Sequence, residues 1–175
     1  MRTRTLVLMI VVFIAGIAVG ALARGRKADA SLFSGKSKAD AGRALLDEAK
    51  AEAGKGSWEN IAVARVYYLA GKKPEAQAIF DSITNKKDSD WMRIGRIYME
   101  AHEWPKAKEA FDKALTLSPK DAAWLAEIGG YYNLQGDRAK AEEMFTRSLA
   151  AESGELWYTV NMAGSYMGVE PRGNS

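Results

Sequence analysis

Between Asp88 and Glu155, apolar and small residues recur at helical spacing and are interrupted by polar turns. Trp91, Ile94, Gly95 and Tyr98 fall on one face of a first helix. Ala107, Phe111 and Ala114 fall on one face of a second, and Pro119 ends it. Gly95 and Ala107 are small enough for two helices to approach closely, while Trp91, Ile94, Tyr98 and Phe111 fill the space left between them. The pattern returns 34 residues later, with Gly129 for Gly95, Tyr132 for Tyr98, Ala141 for Ala107, Phe145 for Phe111 and Ser148 for Ala114.

This order of large, small, aromatic, small and large residues resembles the tetratricopeptide repeat, with Ile94 where Leu is commoner. Asp88–Glu155 then reads as two tandem copies (88–121 and 122–155). In the second, Trp124 comes one residue early and leaves Leu125 in the slot of Trp91. Residues 57–87 read as a degenerate copy, because Tyr67, Ala76 and Phe80 lie 31 residues before Tyr98, Ala107 and Phe111. The loop Thr84–Asp88 absorbs the shortfall. Pro74 and Pro105 share one place, the first turn of a second helix, where proline costs no hydrogen bond. Residues 156–168 repeat only a first helix, with Ala163 and Tyr166 34 residues after Gly129 and Tyr132. The predicted fold is therefore all-α: an α-solenoid of about three helix pairs and a C-terminal closing helix, over residues 38–168. Within it, 38–53 form an N-terminal cover helix that Gly54-Lys55-Gly56 stops. Residues 169–175, with Pro171 and Gly173, are expected to be a disordered tail.

Ahead of this region, Leu6–Ala23 is an unbroken run of apolar and small residues. As a helix it would span about 27 Å at roughly 1.5 Å per residue, near a bilayer core of about 30 Å. It reads as a single transmembrane signal-anchor in residues 1–24, followed by a flexible tether at 25–37. The competing reading is a cleaved secretory signal ending at Ala21-Leu22-Ala23, after Arg2 and Arg4. Arg24, Arg26 and Lys27 follow the run directly, so basic residues flank both of its ends and do not enforce an orientation. Gly16 and Gly20 have a spacing that can pair two membrane helices into a homodimer. The expected location is a bacterial inner membrane, with the lipid bilayer contacted through Leu6–Ala23 and the repeats in the periplasm.

Charge follows the same division. Residues 1–40 carry seven Lys/Arg and two Asp, whereas 41–175 hold 18 basic and 20 acidic residues. The repeats are thus nearly neutral, which argues against nucleic acid as a partner. The chain has no cysteine and one histidine, His102. Disulfides, thiolate nucleophiles and Cys zinc sites are excluded. His102 sits in a turn before Trp104-Pro105 without other ligands nearby. No nucleophile–base pair, phosphate loop or metal spacing is present, so no catalytic residue, cofactor or metal is expected.

The family resemblance implies that first helices of successive repeats line a concave face that holds a peptide or a partner's helix. Carried over by position, its partner-binding residues would be Arg65, Tyr68, Met92, Arg93, Arg96, Met99, Asn133, Trp157 and Asn161. Arginine can clamp a carboxylate, and Met or aromatic residues suit an apolar anchor. The alternative is that these arginines form a solvated face paired with Glu100 and Glu127. Ile61 and Arg65 replace the Lys and Asn of the clamp used by the chaperone-tail-binding branch, so that ligand is not implied. The function expected is a non-catalytic, membrane-tethered adaptor assisting an envelope complex. The rivals are a soluble secreted or periplasmic binder freed by cleavage, and a self-associating structural protein.

Overall fold

Among the described residues, four turns of one kind punctuate the chain. Gly71, His102, Gly136 and Gly168 take left-handed φ angles of 82°, 57°, 87° and 77°. At each, that residue's amide and the next donate back onto the preceding helix. The acceptors are Tyr68 and Tyr67, then Met99 and Tyr98, then Asn133 and Tyr132, and lastly Ser165 and Gly164. Such pairs satisfy carbonyls that a helix end leaves open. Glycine suits the position because it has no Cβ to clash, and His102 alone of the four carries a side chain there.

Eight α-helices lie between turns in the computed structural model, which describes residues 28–172. They are α1 (Lys38–Ala53), α2 (Ser57–Leu69), α3 (Lys73–Ser82), α4 (Asp88–Glu100), α5 (Trp104–Leu117), α6 (Ala122–Leu134), α7 (Arg138–Ala151) and α8 (Leu156–Tyr166). Among the described residues there is no strand. Pro74 and Pro105 stand in the first turns of α3 and α5. The expected span Leu6–Ala23 and the pair Gly16/Gly20 lie outside the described residues. Among those described, no helix is long and apolar enough to cross a membrane. The helices have 10 to 16 residues. At roughly 1.5 Å per residue even the longest stays short of a hydrocarbon core of about 30 Å.

The helices fall in two compact units that divide between Val63 and Ala64. In the first, Asn60 Nδ2 donates to the carbonyls of Gly54 (3.1 Å) and Gly56 (2.7 Å), tying the turn after α1 to α2. In the second, α4 packs on α5 and α6 packs on α7 and α8. The repeated glycines account for the close pairing. A Cβ on Gly95 would lie 2.3 Å from Phe111 Cε1, and one on Gly129 would lie 2.7 Å from Phe145 Cε1. Each ring fills the space its glycine vacates, and Phe111 is fully buried.

Aromatic side chains then join one pair to the next. Tyr98 of α4 meets Phe80 of α3 edge-on, with ring centres 6.1 Å apart, and Tyr68 at 5.2 Å. Tyr131 of α6 stacks on Phe111 at 5.3 Å, while Tyr132 meets Trp104 edge-on at 4.9 Å. Coupling between neighbours is what a repeat array needs, since one pair alone cannot cover its apolar face. Leu125 is buried in the slot where sequence placed it, and Trp124 is half-exposed beside it. Beyond α8 the chain departs from expectation. Pro171 is buried, where a disordered tail was expected from residue 169 onward.

Candidate partner-binding groove

The first helices α2, α4, α6 and α8 carry a row of polar side chains that reach from one first helix to the next. Arg65 on α2 faces Glu100 on α4, with Nε to Oε1 at 2.9 Å and a second bond from Nη2 to Oε2. Arg96 on α4 faces Glu127 on α6, at 2.6 and 2.7 Å. Asn133 on α6 donates to Ser165 Oγ on α8 at 3.0 Å. Helical periodicity places the arginines alike, 31 residues apart, and two-bond geometry fits guanidinium to carboxylate. Their surroundings differ. The Arg65 and Glu100 side chains are 49% and 38% exposed, those of Arg96 and Glu127 only 17% and 3%. The Arg96 guanidinium also lies 5.7 Å from the centre of the Trp124 ring. Arg65 and Arg96 thus pair with Glu100 and Glu127, the first pair solvated and the second largely buried.

Repeat position 65 recurs as 96, 130 and 164, and the residues there are Arg, Arg, Gly and Gly. Where the arginines give way to glycines, the chain following α8 occupies the room. Gly168 reverses its direction, and Val169 N donates to Gly164 O at 2.8 Å. Val169 then passes Gly164, where a Cβ would meet its side chain at 3.6 Å. Pro171 sits over Gly130 so tightly that a Cβ there would lie 2.5 Å from the proline Cγ. Asn161 of α8 reads the next residue's backbone from both sides. Its Nδ2 donates to Arg172 O (3.3 Å) and its Oδ1 accepts from Arg172 N (3.2 Å). The Tyr131 hydroxyl reaches Pro171 O at 3.5 Å, and burial, with Glu127 nearby, pushes that phenol up.

The remaining residues expected in a groove are placed as follows. Met92 and Met99 are buried in the core. Tyr68 is also buried, and its hydroxyl donates to Glu103 Oε2 at 2.5 Å. Arg93 is half-buried, and burial, with Arg96 close by, holds its guanidinium lower than usual. Trp157 is 55% exposed and is the one large aromatic of the set open to solvent.

Sequence reasoning missed two features. The first is a charge cluster on the α4–α5 turn, where Glu103 accepts from Lys106 (2.7 Å), Lys73 and Tyr68. Those hydrogen bonds hold its carboxyl at about 2, below the usual 4.5. The second is the seat for Pro171, whose available signal was Gly130, a second glycine beside Gly129 that pairing of α6 with α7 does not require. A separate recess of 270 Å³ lies among α3, α4 and α5, where Lys113 Nζ stands 4.3 Å from the centre of the Trp91 ring. Among the described residues no cluster of His, Cys, Asp or Glu could hold a metal ion.

Comparison with known proteins agrees with the repeat. Residues 89–121 match the tetratricopeptide repeat family, so the chain carries at least this repeat. The chain is 28% identical over 105 residues to a mouse protein, "BBSome complex member BBS4", an alignment covering 57% of this chain and 20% of that one. It is 29% identical over 100 residues to a human "Cilia- and flagella-associated protein 70", covering 53% of this chain and 9% of that one. The chain thus spans a fifth or less of the length of these relatives. Both are animal proteins, which corrects the expectation of a bacterial inner-membrane protein with periplasmic repeats; sequence pattern by itself carries no mark of organism or compartment.

Proposed function

We propose that this chain, carrying a tetratricopeptide repeat at residues 89–121, is a non-catalytic adaptor that holds a protein or peptide partner along the face of its first helices. The observation that carries this reading is the row of polar groups on that face. Arg65, Arg96, Asn133 and Asn161 come from four separate helices, and an exposed Trp157 stands at its end. Rows of directional groups beside an aromatic suit recognition of a polypeptide, whose backbone needs hydrogen bonds and whose side chains need an apolar anchor. Arg65 has the more exposed of the two ion pairs, so its guanidinium can exchange Glu100 for a partner's carboxylate at little cost.

Photo-crosslinking tests the face directly. A photoreactive residue replaces Arg65, Trp157 or Glu143, the last on second helix α7, and the full chain is irradiated in native extract. A defined protein adduct from positions 65 and 157, absent from 143, is expected. Adducts from 143 alone would move the working surface to the second helices.

A second reading, self-association, is favoured by α8. Leu156 and Val160, four apart on α8, are 66% and 45% exposed, and Met167 just past its end is 81% exposed. Light scattering on the purified chain would show a mass that rises with concentration and is reset to monomer by Val160→Glu/Met167→Glu.

A further inference from the structure

The segment that follows α8 lies along the face assigned above to a partner. Three features show a seat rather than a chance contact. Pro171 is buried although its neighbours Glu170 and Arg172 are exposed. The floor beneath it is Gly130, at the repeat position where α2 and α4 carry arginine, and any side chain there would overlap the proline ring. Asn161 supplies one donor and one acceptor to the same residue's C=O and N–H, so it recognises extended backbone without regard to side chain. The spacing Gly168-x-x-Pro171 matches Gly71-x-x-Pro74, yet Pro74 lies in the first turn of α3 whereas residues 169–172 are not helical. The same spacing therefore takes a different course here, beside the Gly130 floor and Asn161.

We propose that Val169–Arg172 is a built-in occupant of a peptide site floored by Gly130 and Gly164 and read by Asn161, and that a partner's extended, proline-containing segment binds by displacing it. This rests on the adaptor reading above. The segment defines the ligand: proline over Gly130, a following residue whose backbone faces Asn161, and, two residues before the proline, a residue that passes Gly164 with its side chain largely in solvent, as Val169 is 58% exposed. Proline favours such a segment because its ring already holds the chain extended. A tethered occupant competes at an effective concentration in the millimolar range, so a free segment of equal quality is outcompeted until the tethered one is released.

The probe is a capped, fluorescein-labelled peptide of sequence Gly-Val-Glu-Pro-Arg, titrated into the full chain and followed by anisotropy and by the amide resonances of Gly130 and Asn161. Three forms are compared: wild type, Pro171→Asp, and Pro171→Asp with Asn161→Ala. Saturable binding to Pro171→Asp, about tenfold or more weaker to wild type and lost in the double variant, is the expected result. Equal binding to wild type and Pro171→Asp would overturn the displacement while leaving the groove a peptide site. Absence of binding to the opened chain would overturn the site itself, while crosslinks from positions 65 and 157 would still uphold the adaptor reading. Should Pro171→Asp lose its helical circular dichroism, Val169→Ser/Pro171→Ser replaces it as the opened form, read by the same outcomes.

Discussion

The two halves of the first-helix face solve one packing problem in opposite ways. At positions 65 and 96 the space beside the next first helix is filled by an arginine and closed by a carboxylate from that helix. At 130 and 164 it is left open by glycine and taken up by Pro171 and Val169 from the segment after α8. The first solution ties helices together through charge, and its value depends on burial. The second ties them through shape and one amide, and its occupant is tethered by a single turn. A repeat position thus specifies where a group sits, while residue type and surroundings decide what it does there.

The largest effect that separates the halves is expected at Glu127, which is almost wholly buried beneath Arg96. Glu127→Ala leaves an uncompensated guanidinium and should destabilise the chain by about 3–5 kcal/mol in urea unfolding. Replacing both partners, as Arg96→Met/Glu127→Leu, should restore most of that loss, because the penalty arises from the orphaned charge. A fall of under 1 kcal/mol for Glu127→Ala would mean that solvent reaches this pair as freely as it reaches Arg65.

Next in size is Gly130→Val, which sets a side chain where Pro171 lies. Overpacking of this kind costs about 1–3 kcal/mol when nothing can move. Here the occupant can leave, so global stability should change by less than that range. Hydrogen exchange at the Arg172 amide should instead rise to the rate of an open chain. An unchanged Arg172 rate would show that Asn161 holds the segment without the glycine floor.

The charge-built half should also respond to acid, and Glu103 beside it gives the sign. Its carboxyl is depressed from 4.5 to about 2 by Lys106, Lys73 and Tyr68. A group depressed in the folded chain contributes fully above its unfolded value and loses that contribution as pH falls. Stability should therefore decline between about pH 4.5 and 2, and Glu103→Gln should flatten that part of the curve in thermal melts at stepped pH. Exchange at Arg172 has no such carboxylate in its hydrogen bonds and should not follow the same curve.

The smallest effect is expected at Glu100→Ala. Its pair with Arg65 is exposed, and such pairs contribute about 0–1 kcal/mol and fade with salt. Two fork-like arginine pairs of nearly equal geometry would then differ several-fold in contribution, which a denaturation midpoint can resolve.

Much of this architecture is legible in the residues. Gly95 with Phe111 and Gly129 with Phe145 meet as a small residue and a ring 16 positions apart must when two helices pair, because helical periodicity puts them on facing sides. Helix α1, Lys38–Ala53, has its ends set locally: Ser37 caps its start and Gly54 takes a positive φ after its last residue. Local rules decide such features: each involves residues within a few turns of one another. The pairing of Arg65 and Arg96 with Glu100 and Glu127 was visible only as one of two readings, because helical position brings the groups near but does not say whether a partner takes them.

Tertiary structure alone decided the rest. Tyr68, one residue from the tyrosine that sequence spacing set in the core, is buried against Phe80 and Tyr98, since the ring contacts of two pairs select between adjacent positions. Met92 and Met99 are buried as well. Burial of one arginine pair and exposure of the other follow from what packs around them, which no periodicity encodes. Residues 169–175 read as a disordered tail because Pro171 and Gly173 disfavour helix, yet within them Pro171 is buried. Its seat exists because Gly130 on α6, about thirty residues before Asn161 and Gly164 on α8, is brought beside them so that the three present space and one amide together. Sequence by itself determined the elements and their repeat; the contacts between elements determined which groups remain free to bind.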